Sequence, residues 1–242
     1  MKTNKEIPLN DCNAVIYLSG GMQYAPDLGS GWRFDVTTWL TELNYKSINI
    51  TEMDKAYSSE HGEMYRNLTE MSDLLERKSN IRRHYVFADT ELIKTYTDAL
   101  IVYYDESVRM GAGTISECQV AYDQGLPIFL VNSYAHIGEI PGWLQALSTK
   151  IFNDFESLRE YFKGLPPNIL QRDTYGNHSS LNYYLCSLSG EVFEKNKTHF
   201  VSKVSPLYSA ECVDIVKKTY EQHKDRYQFF IEYLTHNPNS TE

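Results

Sequence analysis

The segment ALIVYY at residues 99–104, followed closely by GAGTISE at residues 111–117, gives the strongest fold signal in the sequence. An uninterrupted apolar and aromatic run of this length is typical of a strand buried on both faces. The small residues that follow predict a turn, and residues 114–124 then predict a helix that ends at Gly125. A buried strand, a glycine turn and a helix form part of a right-handed βαβ unit, so the sequence predicts an α/β fold with a parallel sheet.

The alternation of strand and helix patterns extends over the first two-thirds of the chain. We predict strands at 14–18, 45–50, 99–104, 127–131 and 150–152, helices at 33–43 and 114–124, a helix ending at Phe162 that Asn153 or Asp154 caps, and two helices within 63–96 that break near Ser79-Asn80. Strands in this arrangement fit a flavodoxin-like, doubly wound, five-stranded parallel sheet of order 2-1-3-4-5. In that order the loops after the first and third strands, residues 19–22 and 105–113, meet at the edge of the sheet where ligands bind.

The chain changes character after residue 164. Residues 168–206 are polar and aromatic without a clear period, whereas residues 209–234 carry apolar side chains at helical spacing. We therefore predict one domain over residues 1–164 and a mainly helical C-terminal extension over residues 165–242. The extension is too short for an independent two-layer domain, so we expect it to pack on the core or on a second subunit.

Composition narrows the classes of partner. Of the 242 residues 42% are hydrophobic and 13% aromatic, which indicates a folded globular protein. A net charge of -9, from 32 acidic and 23 basic side chains, weighs against a nucleic-acid polymer as partner, since polymer binding needs clustered Lys and Arg. The same charge is compatible with a small anionic ligand, for which one Arg and a helix end suffice.

Cysteine usage and hydropathy bear on cofactors and location. The four cysteines are far apart in sequence, and neither they nor the seven histidines show metal-ligand spacing. We predict no metal and no cofactor, and thiols that stay reduced. Since no signal-peptide pattern opens the chain and no window approaches a membrane span, we expect no membrane partner and a cytoplasmic location.

Glu117 is the side chain at the glycine turn best suited to chemistry. Gly111, Gly113 and Thr114 let a ligand approach the backbone, and the helix that begins there favours phosphate or another oxyanion. A carboxylate one turn further on is placed to stabilise or trap the oxocarbenium-like sugar that forms when an N-glycosidic bond breaks. The alternative is an acid favoured at a helix start by the helix dipole alone.

Several short blocks of the sequence share a family resemblance. The blocks are IYLSGGM at residues 16–22, DALIV at 98–102, GTISE at 113–117, Ala121, and GLPI at 125–128. Together they resemble nucleoside 2-deoxyribosyltransferases and related nucleotide N-glycosidases, over roughly residues 13–160. The resemblance implies a deoxyribosyltransferase-like domain over residues 1–164 and a homo-oligomer in which C-termini complete a neighbour's pocket.

The resemblance also implies roles for individual residues. Glu117 matches the family's nucleophile, which attacks the anomeric carbon, releases the base and leaves a covalent glycosyl-enzyme. Tyr17 matches the residue that hydrogen-bonds and orients that carboxylate. Asp89, in FADTE at residues 87–91, lies where family members often carry an acid, and we predict that it contacts or protonates the base. An exposed acid at a helix start is the alternative for Asp89.

One position departs from the family pattern. Family members usually carry Asp six residues before the nucleophile, whereas this chain has Gly111, with Asp105 and Glu106 earlier in the same loop. Since that Asp meets the base or the ribose in the family, we expect recognition of the base or of the sugar hydroxyls to differ here.

Aromatic and basic residues near the two loops complete the predicted site. Tyr24 and Trp32 are placed to stack on a base, although Trp32 is equally suited to anchor the helix that follows. Arg109 is the favoured phosphate contact among Arg33, Arg82, Arg83 and Arg109, with a solvated loop arginine as the alternative. The predicted substrate-binding residues are Ser19, Gly20, Gly21, Met22, Tyr24, Trp32, Arg109, Gly111, Gly113 and Thr114.

These observations predict an enzyme whose partner is a nucleoside or nucleotide. It would cleave the N-glycosidic bond of a (deoxy)nucleoside or its 5′-monophosphate through a Glu117-linked intermediate and transfer the sugar to another base or to water. GAGTISE also resembles the lysine-decarboxylase-like phosphoribohydrolases, although Arg109-Met110-Gly111 does not match the residues that precede their motif. A non-catalytic nucleotide-binding module is the alternative from another functional class.

Overall fold

A five-stranded parallel sheet lies at the centre of the protein. The structure is a computed structural model, and it describes residues 4–9, 11–61, 72–172, 183–194 and 208–218. The strands are β1 (Val15–Gly20), β2 (Lys46–Ile48), β3 (Ala99–Tyr104), β4 (Ile128–Asn132) and β5 (Lys150–Phe152). Their order is β2-β1-β3-β4-β5, and all four neighbouring pairs are parallel, which confirms the predicted 2-1-3-4-5 sheet.

Helices cover both faces of this sheet. The helices are α1 (Ser30–Glu42), α2 (Ile50–His61), α3 (Leu74–Ile81), α4 (Ala88–Tyr96), α5 (Glu106–Met110), α6 (Gly113–Asp123), α7 (Gly142–Leu147), α8 (Phe155–Gly164) and α9 (210–218). Apolar side chains of α1 and α8 pack on one face of the sheet, with Ile16, Leu18 and Ile101. Apolar side chains of α4, α6 and α7 pack on the opposite face of the sheet, with Tyr17 and Leu100. Since successive strand residues point to opposite faces, both faces require apolar residues and the strands read as continuous runs.

Two predicted helix boundaries are confirmed by their caps. The α6 helix ends before Gly125, whose φ of +70° is the left-handed conformation that glycine adopts at low cost. At α8 the two candidate caps are resolved in favour of Asp154, whose carboxylate accepts a hydrogen bond of 2.7 Å from the Ser157 amide.

The predicted break near Ser79-Asn80 is wrong. The chain stays helical through α3, a π-helical segment over Arg82–Phe87, and α4. Ser and Asn weaken a helix by competing for backbone hydrogen bonds, but they do not end one as Pro does. The first part of the predicted pair, residues 63–71, lies outside the described residues.

Three further helices, α2, α5 and α7, were missing from the sequence prediction. The α2 helix follows β2 directly, where no periodicity was recognised. The α5 helix lies within the segment 105–113 that the pattern assigned to a loop, and Asp105 caps it by accepting from the Val108 amide at 3.2 Å. A single turn of this length is too short to show a period, so only the capping Asp signals it.

The described parts of the C-terminal extension contact the core. A hairpin of β6 (Tyr183–Leu185) and β7 (Val192–Glu194) is tied to the sheet domain by a hydrogen bond from the Tyr161 hydroxyl to the Gly190 carbonyl. The Arg172 amide donates 3.0 Å to the Asp98 carboxylate, which also accepts from Val15 at 2.8 Å. Beyond α9 the predicted tail helix, residues 219–234, lies outside the described residues. None of the helices within the described ranges is both long and apolar enough to cross a membrane.

Candidate active site

The loops after β1 and β3 meet at the carboxyl edge of the sheet, as the strand order requires. Gly21, just beyond β1, lies against Ser107 in the first turn of α5, and a Cβ at Gly21 would lie 1.8 Å from Ser107 Oγ. Any side chain at Gly21 would push the two loops apart. The crevice between these two loops, where the candidate site lies, therefore depends on a glycine in the first loop and a short side chain in the second.

The Glu117 carboxylate projects from the second turn of α6 toward β1, and both of its oxygens are bound there. The Tyr17 hydroxyl donates to Oε1 at 2.9 Å, and the Ser19 hydroxyl donates to Oε2. Tyr17 and Ser19 are two residues apart on β1, so their side chains leave the same face of the sheet. The hydrogen bond from Tyr17 that the family resemblance implied is present, and Ser19 adds a second that the prediction assigned only to substrate binding.

Burial and hydrogen bonding act in opposite directions on this carboxylate. Burial raises the pKa of Glu117, while the hydrogen bonds from Ser19 and Tyr17 and the positive charge of Arg33 oppose the rise. Burial and the nearby Glu117 and Asp89 carboxyls raise the pKa of Tyr17 well above its ordinary value. Tyr17 therefore stays protonated and acts as a donor, which leaves the carboxylate as the acceptor.

Asp89 lies in the first turn of α4, and α4 packs against the helix that carries Glu117. Burial, with smaller contributions from the Glu117 and Asp54 charges, raises the pKa of Asp89 to about 8. At neutral pH Asp89 is therefore mostly a neutral acid. At Glu117 the two hydroxyl donors and the charge of Arg33 favour the ionised form, against the effect of burial. A buried carboxyl beside one that accepts two hydroxyl hydrogen bonds has the parts needed to pair an acid with a nucleophile or a charge stabiliser.

Asp54 on α2 is a third carboxyl in this region, and sequence reasoning missed it. Its Oδ2 is buried without a hydrogen-bond partner among the residues that the structure describes, and burial raises its pKa. Since α2 carried no recognised pattern, no sequence signal pointed to Asp54. Ser19 was different, because the period of two along β1 places it on the same face as Tyr17.

The glycine turn before α6 leaves its helix end open. Ala112 occupies the cap position, and no side chain in the described part of the chain caps the helix there. Among the described residues, a Cβ at Gly113 would meet nothing within 4 Å, and one at Gly111 would meet only the Ser107 carbonyl at 3.6 Å. Packing therefore does not require glycine at either position, and the first amides of α6 are available to an oxyanion.

The structure places Trp32 in a packing role. Its ring stacks on Phe155 with centroids 5.7 Å apart and lies 5.5 Å from the Tyr103 ring. These contacts belong to the sheet face covered by α1 and α8, whereas Tyr17 belongs to the opposite face. The anchoring interpretation of Trp32 therefore accounts for its contacts. Tyr24 is 46% exposed in the first loop, and Met22 packs on the cluster around Tyr17.

The candidate phosphate-binding arginines occupy different environments. Arg109 is exposed and forms an ion pair of 3.0 Å with Glu106, which also accepts 2.7 Å from the Tyr134 hydroxyl. Arg82 and Arg83 are exposed on the π-helical segment, and Arg33 is buried. Within the described ranges no group of three or more His, Cys, Asp or Glu side chains is arranged to hold a metal ion.

Comparisons with known proteins give a likeness of structure, but no match of sequence. No family model matches the chain, and no curated protein sequence does. Among solved structures, a 2-deoxyribosyltransferase from the psychrotolerant bacterium Bacillus psychrosaccharolyticus is similar, at 20% sequence identity and a TM-score of 0.45. The match covers 64% of this chain and 97% of that one.

Proposed function

We propose that this protein cleaves the N-glycosidic bond of a (deoxy)nucleoside or its 5′-monophosphate and passes the sugar to another base or to water. One observation carries the proposal: a carboxylate held by two hydroxyl groups, Glu117 with Tyr17 and Ser19, lies near Asp89, whose pKa of about 8 keeps it protonated at neutral pH. Glycoside chemistry pairs a carboxylate with a protonated carboxyl, and in this proposal Glu117 takes the first role and Asp89 the second.

In the first step Glu117 attacks the anomeric carbon of the sugar. A bond forms between a carboxylate oxygen and C1′ while the C1′–N bond breaks, and its electron pair leaves with the base. Asp89 transfers its proton to a ring nitrogen of the base, so that the base departs neutral. Tyr17 and Ser19 hold the carboxylate in one orientation throughout, which reduces the entropic cost of reaching the transition state.

In the second step Asp89 acts as a base and Glu117 as the leaving group. Asp89, now a carboxylate, accepts a proton from water or from the N–H of an incoming base, and the oxygen or nitrogen freed of that proton attacks C1′. The ester bond to Glu117 breaks, its electron pair returns to the carboxylate, and the site regains its starting protonation state. Transferase and hydrolase activity differ only in which acceptor reaches C1′ first.

The experiment that tests the proposal is intact-mass measurement of denatured protein after brief incubation with deoxynucleosides, ribonucleosides and their 5′-monophosphates. We expect a mass increase equal to the sugar or sugar phosphate, located on Glu117 by peptide mapping, together with release of free base. Adding a second base separates the two activities, because a transferase forms the exchanged nucleoside. Thermal stabilisation by a nucleotide without any released base would instead indicate a binding module and would overturn the proposal.

Asp54 supplies a prediction about pH dependence. Its negative charge raises the pKa of Asp89, so Asp54→Asn is expected to lower that pKa. Since Asp89 must be protonated to act as the acid, the decline in kcat/KM above pH 7 should begin at a lower pH than in the wild type. Glu52→Gln, on the exposed side of the same helix, is the matched control and should leave the profile in place. An unchanged alkaline limb in Asp54→Asn would contradict this coupling.

A further inference from the structure

Arg33 of α1 is one of the largest fully buried side chains in the described part of the protein, with an exposure of 2%. Each of its three side-chain nitrogens donates to a backbone carbonyl: Nε to Leu18 at 3.1 Å, one terminal nitrogen to Gly29 at 2.9 Å, and the other to Gly20 at 2.8 Å. The guanidinium also lies 4.6 Å from the centre of the Trp32 ring. A buried cation held in this way has one orientation.

The hydrogen bonds from Arg33 to Leu18 and Gly20 take the place of those that a longer β2 would make to β1. β2 pairs with β1 only as far as Tyr17, whereas β3 pairs with β1 as far as Gly20. Residues two apart in a strand direct their carbonyls the same way. Beyond Tyr17, the carbonyls of Leu18 and Gly20 have no strand partner on the β2 side among the residues that the structure describes. Arg33 therefore satisfies two carbonyls that a longer β2 would have bound.

The segment that Arg33 holds is the one that contacts Glu117. Ser19 lies between the two carbonyls that Arg33 binds, and Tyr17 directly precedes Leu18. A rotation of this segment about its axis would withdraw both hydroxyl donors from the carboxylate. Gly29 supports the arrangement: its φ is +71°, and a Cβ there would lie 2.3 Å from a terminal nitrogen of Arg33.

The charge of Arg33 has no adjacent counter-ion. Among the residues that the structure describes, no carboxylate oxygen lies within ion-pair distance of its guanidinium. Burial lowers the pKa of Arg33, and the negative charge of Glu117 is the largest influence opposing that change, ahead of Asp27 and Asp105. An arginine remains charged under such conditions, so its field acts on the carboxylate in the crevice.

We infer that Arg33 is a positioning residue for the proposed reaction, one that fixes the carboxyl end of β1 and supplies a positive charge that favours the ionised form of Glu117. The inference rests on the proposed function for its catalytic meaning, but its physical content concerns Glu117 alone. It replaces the interpretation of Arg33 as a phosphate contact, because the side chain is buried and each of its three nitrogens already donates to a backbone carbonyl.

The test is an NMR titration of the Glu117 carboxyl in 13C-glutamate-labelled protein, with Glu117→Gln used to assign its signal. The groups that face this carboxyl are Tyr17 and Ser19 on β1, Arg33 on α1 and Asp89 on α4. In Arg33→Met we expect Glu117 to titrate at higher pH than in the wild type. In Arg33→Lys, which keeps the charge but loses the planar fork, we expect the titration to stay near the wild-type position.

Kinetics supply the second measurement. We expect Arg33→Met to move the acid limb of kcat/KM to higher pH, so that the ratio of activity at pH 5 to that at pH 7 falls several-fold. Arg33→Lys should lower kcat while the acid limb stays in place. Arg159→Met is the matched control, since Arg159 also contacts α1 through Glu42 at 3.0 Å but lies outside the crevice. Arg33→Gln, which keeps an amide donor for the carbonyls, is the second neutral variant should Arg33→Met not fold.

The outcomes separate this inference from the proposed function. If neither neutral variant raises the titration of Glu117, the inference about Arg33 is wrong, whether or not the protein releases a base. If the titration rises and no nucleoside is cleaved by the wild type, the electrostatic role of Arg33 stands and the proposed function fails. An equal rise in Arg33→Lys and Arg33→Met would also overturn the inference, because it would show that the charge is not what acts on Glu117.

Discussion

Glu117→Gln is expected to lower kcat/KM for base release by at least roughly 10³-fold, and to abolish the sugar adduct. The amide has nearly the same shape as the carboxylate and can still accept a hydrogen bond from Tyr17 or Ser19. It lacks the negative charge that stabilises an oxocarbenium-like transition state, and it is a poor nucleophile. The measurement is single-turnover base release alongside intact-mass analysis.

A control variant and a stability measurement show whether the loss of activity in Glu117→Gln reflects the chemical step and not misfolding. Asp123→Asn changes an exposed carboxylate at the far end of the same helix and should retain wild-type activity. Thermal unfolding should show that Glu117→Gln is no less stable than the wild type near neutral pH, since burial disfavours the ionised carboxylate in the folded chain. A Glu117→Gln enzyme with full turnover would exclude Glu117 as the nucleophile.

Much of the fold could be predicted because each strand carries its own local signal. Residues 99–104 and 150–152 were assigned to strands with the bounds that the structure gives them. The strand order followed from connection rules, since parallel strands joined by helices leave few arrangements. The α5 and α7 helices were missed because segments of five and six residues are too short to show a period, and no period was recognised over α2.

The candidate site was predictable only in part, and the physical reason differs from residue to residue. Glu117 and Tyr17 lie in short blocks whose pattern resembles a known family, so sequence alone brought them together. Arg33 and Asp54 depend on tertiary geometry: the first on where β2 stops pairing, the second on which side of α2 is buried. Trp32 shows the converse, because an aromatic residue beside a predicted ligand loop has the same sequence signal whether it binds a base or packs a helix.

Asp89→Asn is expected to lower kcat/KM by about 10²–10³-fold for ordinary nucleosides, because the base must then leave without a proton. The loss should be much smaller for a nucleoside of a 7-methylated purine, whose base already carries a positive charge and leaves as a neutral molecule without protonation. Comparing the two substrates in the wild type and in the variant measures the contribution of proton transfer alone. Glu91→Gln, an exposed carboxylate on the same helix, is the matched control.

The pH dependence gives the same assignment a second test. With a pKa of about 8, Asp89 loses its proton as the pH rises through that value, so wild-type kcat/KM for ordinary nucleosides should fall on the alkaline side. The folded chain binds this proton more tightly than the unfolded chain does, so Asp89 also makes the fold less stable as the pH rises from 4 toward 8. Asp89→Asn removes this pH-dependent loss of stability. The variant should therefore be more stable than the wild type at pH 7 while being less active.

A side chain that lowers stability and raises activity is one kept for function. If Asp89→Asn were instead destabilised at pH 7, with equal losses on both classes of nucleoside, Asp89 would be a structural residue and the proton donor would have to be sought elsewhere in the crevice. Asp54 is then the next carboxyl to test, since its Oδ2 is buried without a partner in the described part of the chain. The methylated-purine comparison applies to Asp54→Asn without change, and it would distinguish an acid from a group that only tunes Asp89.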